Sequence, residues 1–177
     1  QPENSKNREP GNFAVKASAQ DRTMKVVDYD GVAASYDTRY KGDPYKPEGI
    51  ASKLLNLIHD TGAERVLEVG CGTGHWLYLI QGHTRVVGID QSHGMLEKAV
   101  EQKGKFFLIQ GNAGKLPFKS KCFDLVYCVN VLHHFQNPLA FMARAFELLK
   151  EKGVLSVIGM NPHSLQDRWF IYEYFSG

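Results

Sequence analysis

The chain is poor in cysteine, has no long apolar run and carries almost no surplus of either charge. Its three cysteines, Cys71, Cys122 and Cys128, are an odd number, and none has C-x-x-C spacing. That excludes a disulfide framework and a zinc-ribbon or dithiol redox motif, so no metal site is expected. Such usage suits a reducing compartment, and a cytoplasmic location is expected. No apolar stretch approaches the roughly 18 residues of a membrane span, and no signal peptide is evident, so no integral membrane segment is expected. Lys and Arg total 21 against 19 Asp and Glu, a net charge of +2. So weak a field requires neither nucleic acid nor an anionic membrane as partner. Lys115, Lys119 and Lys121 form the densest basic patch and read as a solvated loop.

What is present is an ordinary globular complement. The 177 residues are 43% hydrophobic and 23% charged, enough for one domain with a substantial core. Residues 1–23 are polar and without periodicity, and read as a mobile tail. Residues 26–45 hold Tyr29, Tyr36, Tyr40 and Tyr45 without a strand or helix period, which suggests a segment that either packs on the core or covers a ligand. A helix is expected from Pro47 to about Asp60, with Ile50, Leu54, Leu57 and Ile58 on one face and Gly62 as its stop. Residues 24–60 thus form an N-terminal cap and first helix.

From residue 61 onward strands and helices alternate. Strands are predicted at 65–69, 85–89, 106–110, 123–129 and 154–159, with helices from about Thr73, over 92–103 and from Asn137-Pro138. The face of the last helix reads as Leu139, Met142, Ala143, Phe146 and Leu149, stopped by Gly153. The pattern predicts an α/β fold, a Rossmann-like parallel sheet with helices on both faces, the chain ending after the fifth strand. Ser164 to Gly177, with Trp169, Phe170, Tyr172, Tyr174 and Phe175, reads as an aromatic helix. Strand 154–159 is apolar on both faces. Left as an edge it invites pairing, so the expectation is that the natural protein continues beyond Gly177, or that residues 160–177 or a second subunit, as a homodimer, cover it.

The most informative stretch is Val66-Leu-Glu-Val-Gly-Cys-Gly-Thr-Gly-His-Trp76. An apolar run ends in Gly70, Gly72 and Gly74, so the backbone passes close to a ligand at a strand-to-helix turn. A dinucleotide fingerprint is G-x-G-x-x-G with a pyrophosphate on the helix N-terminus. Here the third glycine comes one residue early, and Glu68 at the strand tip would repel a pyrophosphate but attract a cation. S-adenosylmethionine, with an ammonium, a sulfonium and no phosphate, fits better than a nicotinamide dinucleotide. Asp90 ends the second strand, where a carboxylate can accept from both hydroxyls of a ribose, and Ser92 is the better cap for the next helix.

Over about residues 29–160 the chain resembles class I S-adenosylmethionine-dependent methyltransferases, especially the small-molecule branch related to quinone-biosynthesis enzymes. Glu68 to Gly74 matches the first motif, and Asp90-Gln91-Ser92-His93-Gly94-Met95-Leu96 the ribose motif D-x-S-x-x-M-L. Leu116-Pro117-Phe118 with Phe123-Asp124, and Leu132-His133-His134 after strand four, match two further stretches in order. The resemblance makes 61–177 an S-adenosylmethionine-binding domain, truncated at its C-terminus because the family sheet continues with two more strands.

The resemblance also implies roles. Gly70, Cys71, Gly72 and Gly74 would wall the methionyl part, with Glu68 near its ammonium. Asp90 would hold the ribose, Gln91 and Met95 would border the adenine, Asn112 and Ala113 would meet its edge, and Asn130 would line the methionine end. Tyr36 belongs to a Y-D…Y-D element that closes over the cofactor. Asn112 departs from the usual Asp, but its amide oxygen still accepts a hydrogen bond. His133 and His134 are the candidates for a general base, although many such transferases rely on positioning instead. Nucleic-acid amino-methylating enzymes carry Pro-Pro-aromatic after strand four, whereas Asn130 is followed by Val131-Leu132. A small-molecule acceptor is therefore expected, with S-adenosylmethionine or S-adenosylhomocysteine as the bound cofactor. A non-catalytic binding module is the alternative, and a nicotinamide oxidoreductase a more distant one.

Overall fold

A computed structural model describes residues 28–40 and 47–159. The tail over 1–23, Tyr45 and the aromatic stretch from Ser164 lie outside the described residues. Five strands, β1 (Arg65–Val69), β2 (Arg85–Asp90), β3 (Phe107–Gln110), β4 (Phe123–Val129) and β5 (Leu149–Ile158), form one sheet in the order β3-β2-β1-β4-β5. Every pairing is parallel, with Glu68 level with Gly88 on one side and Tyr127 on the other. The helices are α1 (Tyr29–Val32), α2 (Pro47–Thr61), α3 (His75–Ile80), α4 (His93–Glu101) and α5 (Pro138–Leu148).

Both faces of the sheet are covered, so the central strands β1 and β4 are mostly apolar, with Glu68 and Asp124 as their acidic exceptions. Leu54 and Ile58 of α2, Trp76, Leu77 and Ile80 of α3 and Leu96 of α4 pack with Val66, Leu125 and Tyr127. On the opposite face Phe141, Ala145 and Leu148 of α5 pack with Leu67, Val69, Val126 and Cys128. Local chemistry sets the helix ends. Gly62, at φ 60°, ends α2: its N–H donates to His59 O, and that of Ala63 donates to Ile58 O. The side chains of Ser92 and Asn137 accept from the amides of Met95 and Ala140 and start α4 and α5. Asp124 Oδ2 accepts from the amides of Glu64 and Arg65 while its Oδ1 takes Lys150 Nζ at 2.7 Å, so the acid of the Phe-Asp motif ties β1, β4 and β5 together.

Three expectations need correction. The buried face of α5 is Phe141, Ala145 and Leu148, while Leu139 and Phe146 are 77% and 73% exposed. The helix is apolar on two sides, and periodicity alone selects the wrong one. Arg144 holds the observed orientation, its Nη2 donating to the carbonyls of Leu116 and Phe118. Gly153 is also not the helix stop. The helix ends at Leu148, and Leu149 already pairs with Phe123 before the register breaks and resumes at Val154 opposite Leu125. Lys152 in this bulge adopts φ 64°, and a Cβ on Gly153 would sit 3.0 Å from the Leu149 side chain. The segment after Asp28 is regular rather than irregular: α1 is followed by 3-10 turns over Ala33–Tyr40.

Candidate functional site

All the expected cofactor residues of the sheet emerge at one rim, the carboxyl ends of β1 to β4. In an open parallel sheet this is where ligands bind, at the point where strand order reverses, here between β1 and β4. Gly70, Gly72 and Gly74 have φ of 75°, 53° and 76°, so the loop after β1 is left-handed at every glycine. A Cβ at Gly70 would strike Val131 at 2.9 Å, and one at Gly72 would lie 3.7 Å from the Tyr36 ring. The loop is thus wedged between the turn after β4 and the N-terminal cap. Cys71 points the other way, buried in the core, so only its backbone faces the rim.

Asp90 is held before any ligand arrives. Its Oδ2 accepts from Gly72 N at 2.8 Å and its Oδ1 from Ser92 N at 2.9 Å. Burial raises this carboxyl above its ordinary range, an effect partly offset by the backbone bonds from Ser92, Gly72 and Gln91. A carboxylate has about four acceptor sites, so acceptor capacity remains for a ribose hydroxyl. Gln91 is exposed beside it, and its Oε1 faces Asn112 Nδ2 at 3.4 Å. Asn112 Oδ1 already accepts from Gly114 N, which fixes the amide at the end of β3, next to Ala113. Met95 is 1% exposed, under the first turn of α4. Asn130 sits at φ 53° just after β4, its N–H donating to Ile158 O.

Glu68 is 1% exposed. Its Oε2 accepts from Tyr127 at 3.0 Å, while Oε1 has no hydrogen-bond partner. Burial pushes the carboxyl well above the usual carboxylate range; the Tyr127 bond lowers it and the nearby Asp90 charge raises it. A buried carboxylate oxygen without a donor is costly unless something cationic or protic completes it. The residues therefore fit an ammonium-bearing, ribose-bearing ligand with no phosphate.

The N-terminal cap lies across this rim through three side-chain contacts. Asp30 Oδ1 accepts from Ser92 Oγ at 2.6 Å and from Gly94 N at 2.8 Å. Asp37 Oδ1 accepts from Thr73 Oγ1 at 2.6 Å, and the Tyr29 hydroxyl meets His134 Nε2 at 2.5 Å. Tyr29 also packs edge-on against Tyr36. Sequence reasoning singled out the tyrosines of the Y-D…Y-D element, but the two aspartates are its anchors, a role to which the repeated Tyr-Asp pair was the available clue. Loss of solvation lowers His133 and holds His134 at about 4, helped by the adjacent His133. Both histidines are therefore neutral near pH 7.

Among the described residues no group of three or more His, Cys, Asp or Glu could hold a metal ion. No described helix is long and apolar enough to cross a membrane. A concavity of about 680 Å3 lies at the opposite end of the sheet, beside His59, His83 and Arg85, and gathers none of the rim residues.

Comparison with known proteins agrees with this geometry. Residues 67–157, just over half of the chain, match the family described as "Methyltransferase domain". A malonyl-[acyl-carrier protein] O-methyltransferase of Legionella pneumophila is 31% identical over 132 residues, covering 68% of this chain and 46% of the relative. A demethylmenaquinone methyltransferase of Lactococcus lactis is 27% identical over 144 residues, covering 76% of this chain and 56% of the relative. The crystal structure of a putative methyltransferase from Bacillus halodurans superposes with a TM-score of 0.56 at 30% identity, covering 71% of this chain and 58% of that one. The chain belongs to the class I S-adenosylmethionine-dependent methyltransferase superfamily. It spans about half the length of the curated relatives it matches.

Proposed function

We propose that the protein transfers a methyl group from S-adenosylmethionine to a small, apolar acceptor. The observation that carries this reading is the pairing of two carboxylates at one rim: Asp90, pinned by the Gly72 and Ser92 amides, and Glu68, buried with a free Oε1. When bound, S-adenosylmethionine supplies an electrophilic methyl group on a sulfonium. Glu68 Oε1 is the acceptor for its ammonium, Asp90 for the ribose hydroxyls, and the left-handed glycine loop admits the chain between them. Tyr29 and Tyr36 exclude water over the loop.

The acceptor side is formed by the turn after β4, where Val131 and Leu132 are apolar and packed on the core. Of the matched relatives named above, one is named for a malonyl group carried by a protein and the other for demethylmenaquinone; the second supports an acceptor with apolar character, whose identity is a proposal. The reading includes no nucleic-acid partner and a cytoplasmic location. His134 is neutral, but its Nε2 is engaged by Tyr29, so in-line positioning of the acceptor carries more of the rate than a strong base. That engagement also favours the second reading, a non-catalytic cofactor-binding module. Formation of S-adenosylhomocysteine with a panel of small acceptors tests the first reading. Tight cofactor binding with no turnover on any acceptor selects the second. A larger thermal shift with NAD than with S-adenosylmethionine overturns both.

A further inference from the structure

Glu68 and Tyr127 occupy the same row of the sheet, level with each other on adjacent strands β1 and β4. Both side chains are turned to the face packed by α2 and α3, and Tyr127 is fully buried. A tyrosine in such a core must find a partner for its hydroxyl. Here the partner is Glu68 Oε2, at 3.0 Å, and only one oxygen of the carboxylate is used. Glu68 is a flexible side chain with three torsions, and nothing else donates to it among the described side chains. The phenol therefore decides which oxygen is satisfied and which is left without a donor.

We propose that Tyr127 is a positioning residue for the cofactor's ammonium: by donating to Glu68 Oε2 it leaves Oε1, which has no donor, as the oxygen that receives the ligand. This inference rests on the reading of the rim as an S-adenosylmethionine site. A hydrogen bond to the charged form favours that form, so the phenol offsets part of the cost of burying the charge. The other ionisable groups close to Glu68 are Asp90, Cys71 and Cys128. Asp90 raises the Glu68 carboxyl, and Glu68 in turn raises the two thiols, so Tyr127 is the one neighbour on this side that lowers it. No sequence motif marks Tyr127; it is conspicuous only once β1 and β4 are paired.

The test is calorimetric titration of the full chain with S-adenosylhomocysteine as a function of pH, for the protein as it stands and for Tyr127→Phe. The expected result is roughly tenfold weaker binding at neutral pH in the variant, the loss of one bond to a charged group. The pH at which binding reaches half its maximum should also move upward, because an unassisted carboxyl ionises later. Unchanged affinity overturns the proposal, and so does weaker binding with an unmoved pH profile, which marks a packing defect. If Tyr127→Phe does not fold, 3-fluorotyrosine placed at position 127 keeps the ring and makes the phenol a stronger donor. The pH midpoint should then move downward, and an unmoved or raised midpoint overturns the proposal. Absence of S-adenosylhomocysteine binding by the unmodified chain at every pH instead removes the cofactor reading itself, and this inference with it.

Discussion

Ser92 Oγ donates to Asp30 Oδ1 across 2.6 Å, while the N–H of the same serine donates to Asp90 Oδ1. One residue thus joins the N-terminal cap to the carboxylate proposed to hold the ribose. Any shift of Asp90 on ligand binding is felt by the cap through a single side chain, and the reverse holds by linkage. Ser92 also accepts from Met95 N as the α4 cap, so its position is set by the helix.

Asp90→Ala should weaken S-adenosylhomocysteine by at least tenfold. It removes two charge-assisted hydrogen bonds, each about 1.5–3 kcal/mol. It also frees the amides of Gly72 and Ser92, so the titration should be run well below the variant's melting temperature. Unchanged affinity would remove Asp90 from the site.

Asp30→Ala should loosen the cap without loosening the sheet. Amide exchange over residues 29–38 should become faster, while β1 and β4 keep their protection. In the unmodified chain S-adenosylhomocysteine should slow exchange around Tyr36, and the variant should need more ligand to reach the same protection. Equal exchange with and without ligand would count against a closing cap.

Glu68→Gln should stabilise the ligand-free protein and weaken the ligand-bound one. The folded state raises the Glu68 carboxyl well above its ordinary range, with burial as the main cause. Between the unfolded and folded values the native state binds the extra proton, so stability contributed by the protonated group is present at low pH and lost as pH rises through the folded value. A neutral amide escapes that loss. The variant's Tm at pH 8 should lie above that of the unmodified chain, and its rise on adding S-adenosylhomocysteine should be smaller. A lower ligand-free Tm would contradict the desolvation account.

His134 should remain neutral from pH 5 upward, since its titration is lowered to about 4. Its folded value lies below the ordinary one near 6.5, so the unfolded state binds more protons between the two. Stability from this residue is complete above about pH 6.5 and is lost as pH falls toward about 4. Imidazole NMR shifts that stay flat between pH 5 and 8 are the expected observation. A normal titration near 6.5 would show that His134 is not desolvated in solution as it is in the structure.

The outer edge of β5 pairs with no strand among the described residues, and Val157 there is 41% exposed. We propose that the 177-residue chain self-associates through this edge. Sedimentation should show a concentration-dependent dimer, and Val157→Lys should shift it toward monomer, as an edge lysine opposes strand pairing. A monomer across all concentrations would end the idea.

Much of this protein is written in local chemistry. Strand β1 and strand β4 begin and end where the apolar runs do, and Ser92, Asn137 and Gly62 cap their helices as short-range hydrogen bonding requires. The glycine spacing and Glu68 point in the sequence to a cationic nucleoside rather than a dinucleotide, because glycine conformation and a single carboxylate act over a few ångströms of chain.

Other features depend on partners distant in sequence. α5 carries apolar residues on two faces, and which one is buried was settled by Arg144 reaching the Leu116 and Phe118 carbonyls, a contact that no helical period encodes. Gly153 looks like a helix stop until Leu149 is seen paired with Phe123. The work of Asp30 and Asp37 belongs to Ser92 and Thr73, and that of Tyr127 to Glu68. A hydrogen bond needs its two atoms within about 3 Å, and only the folded sheet brings together groups separated by dozens of residues.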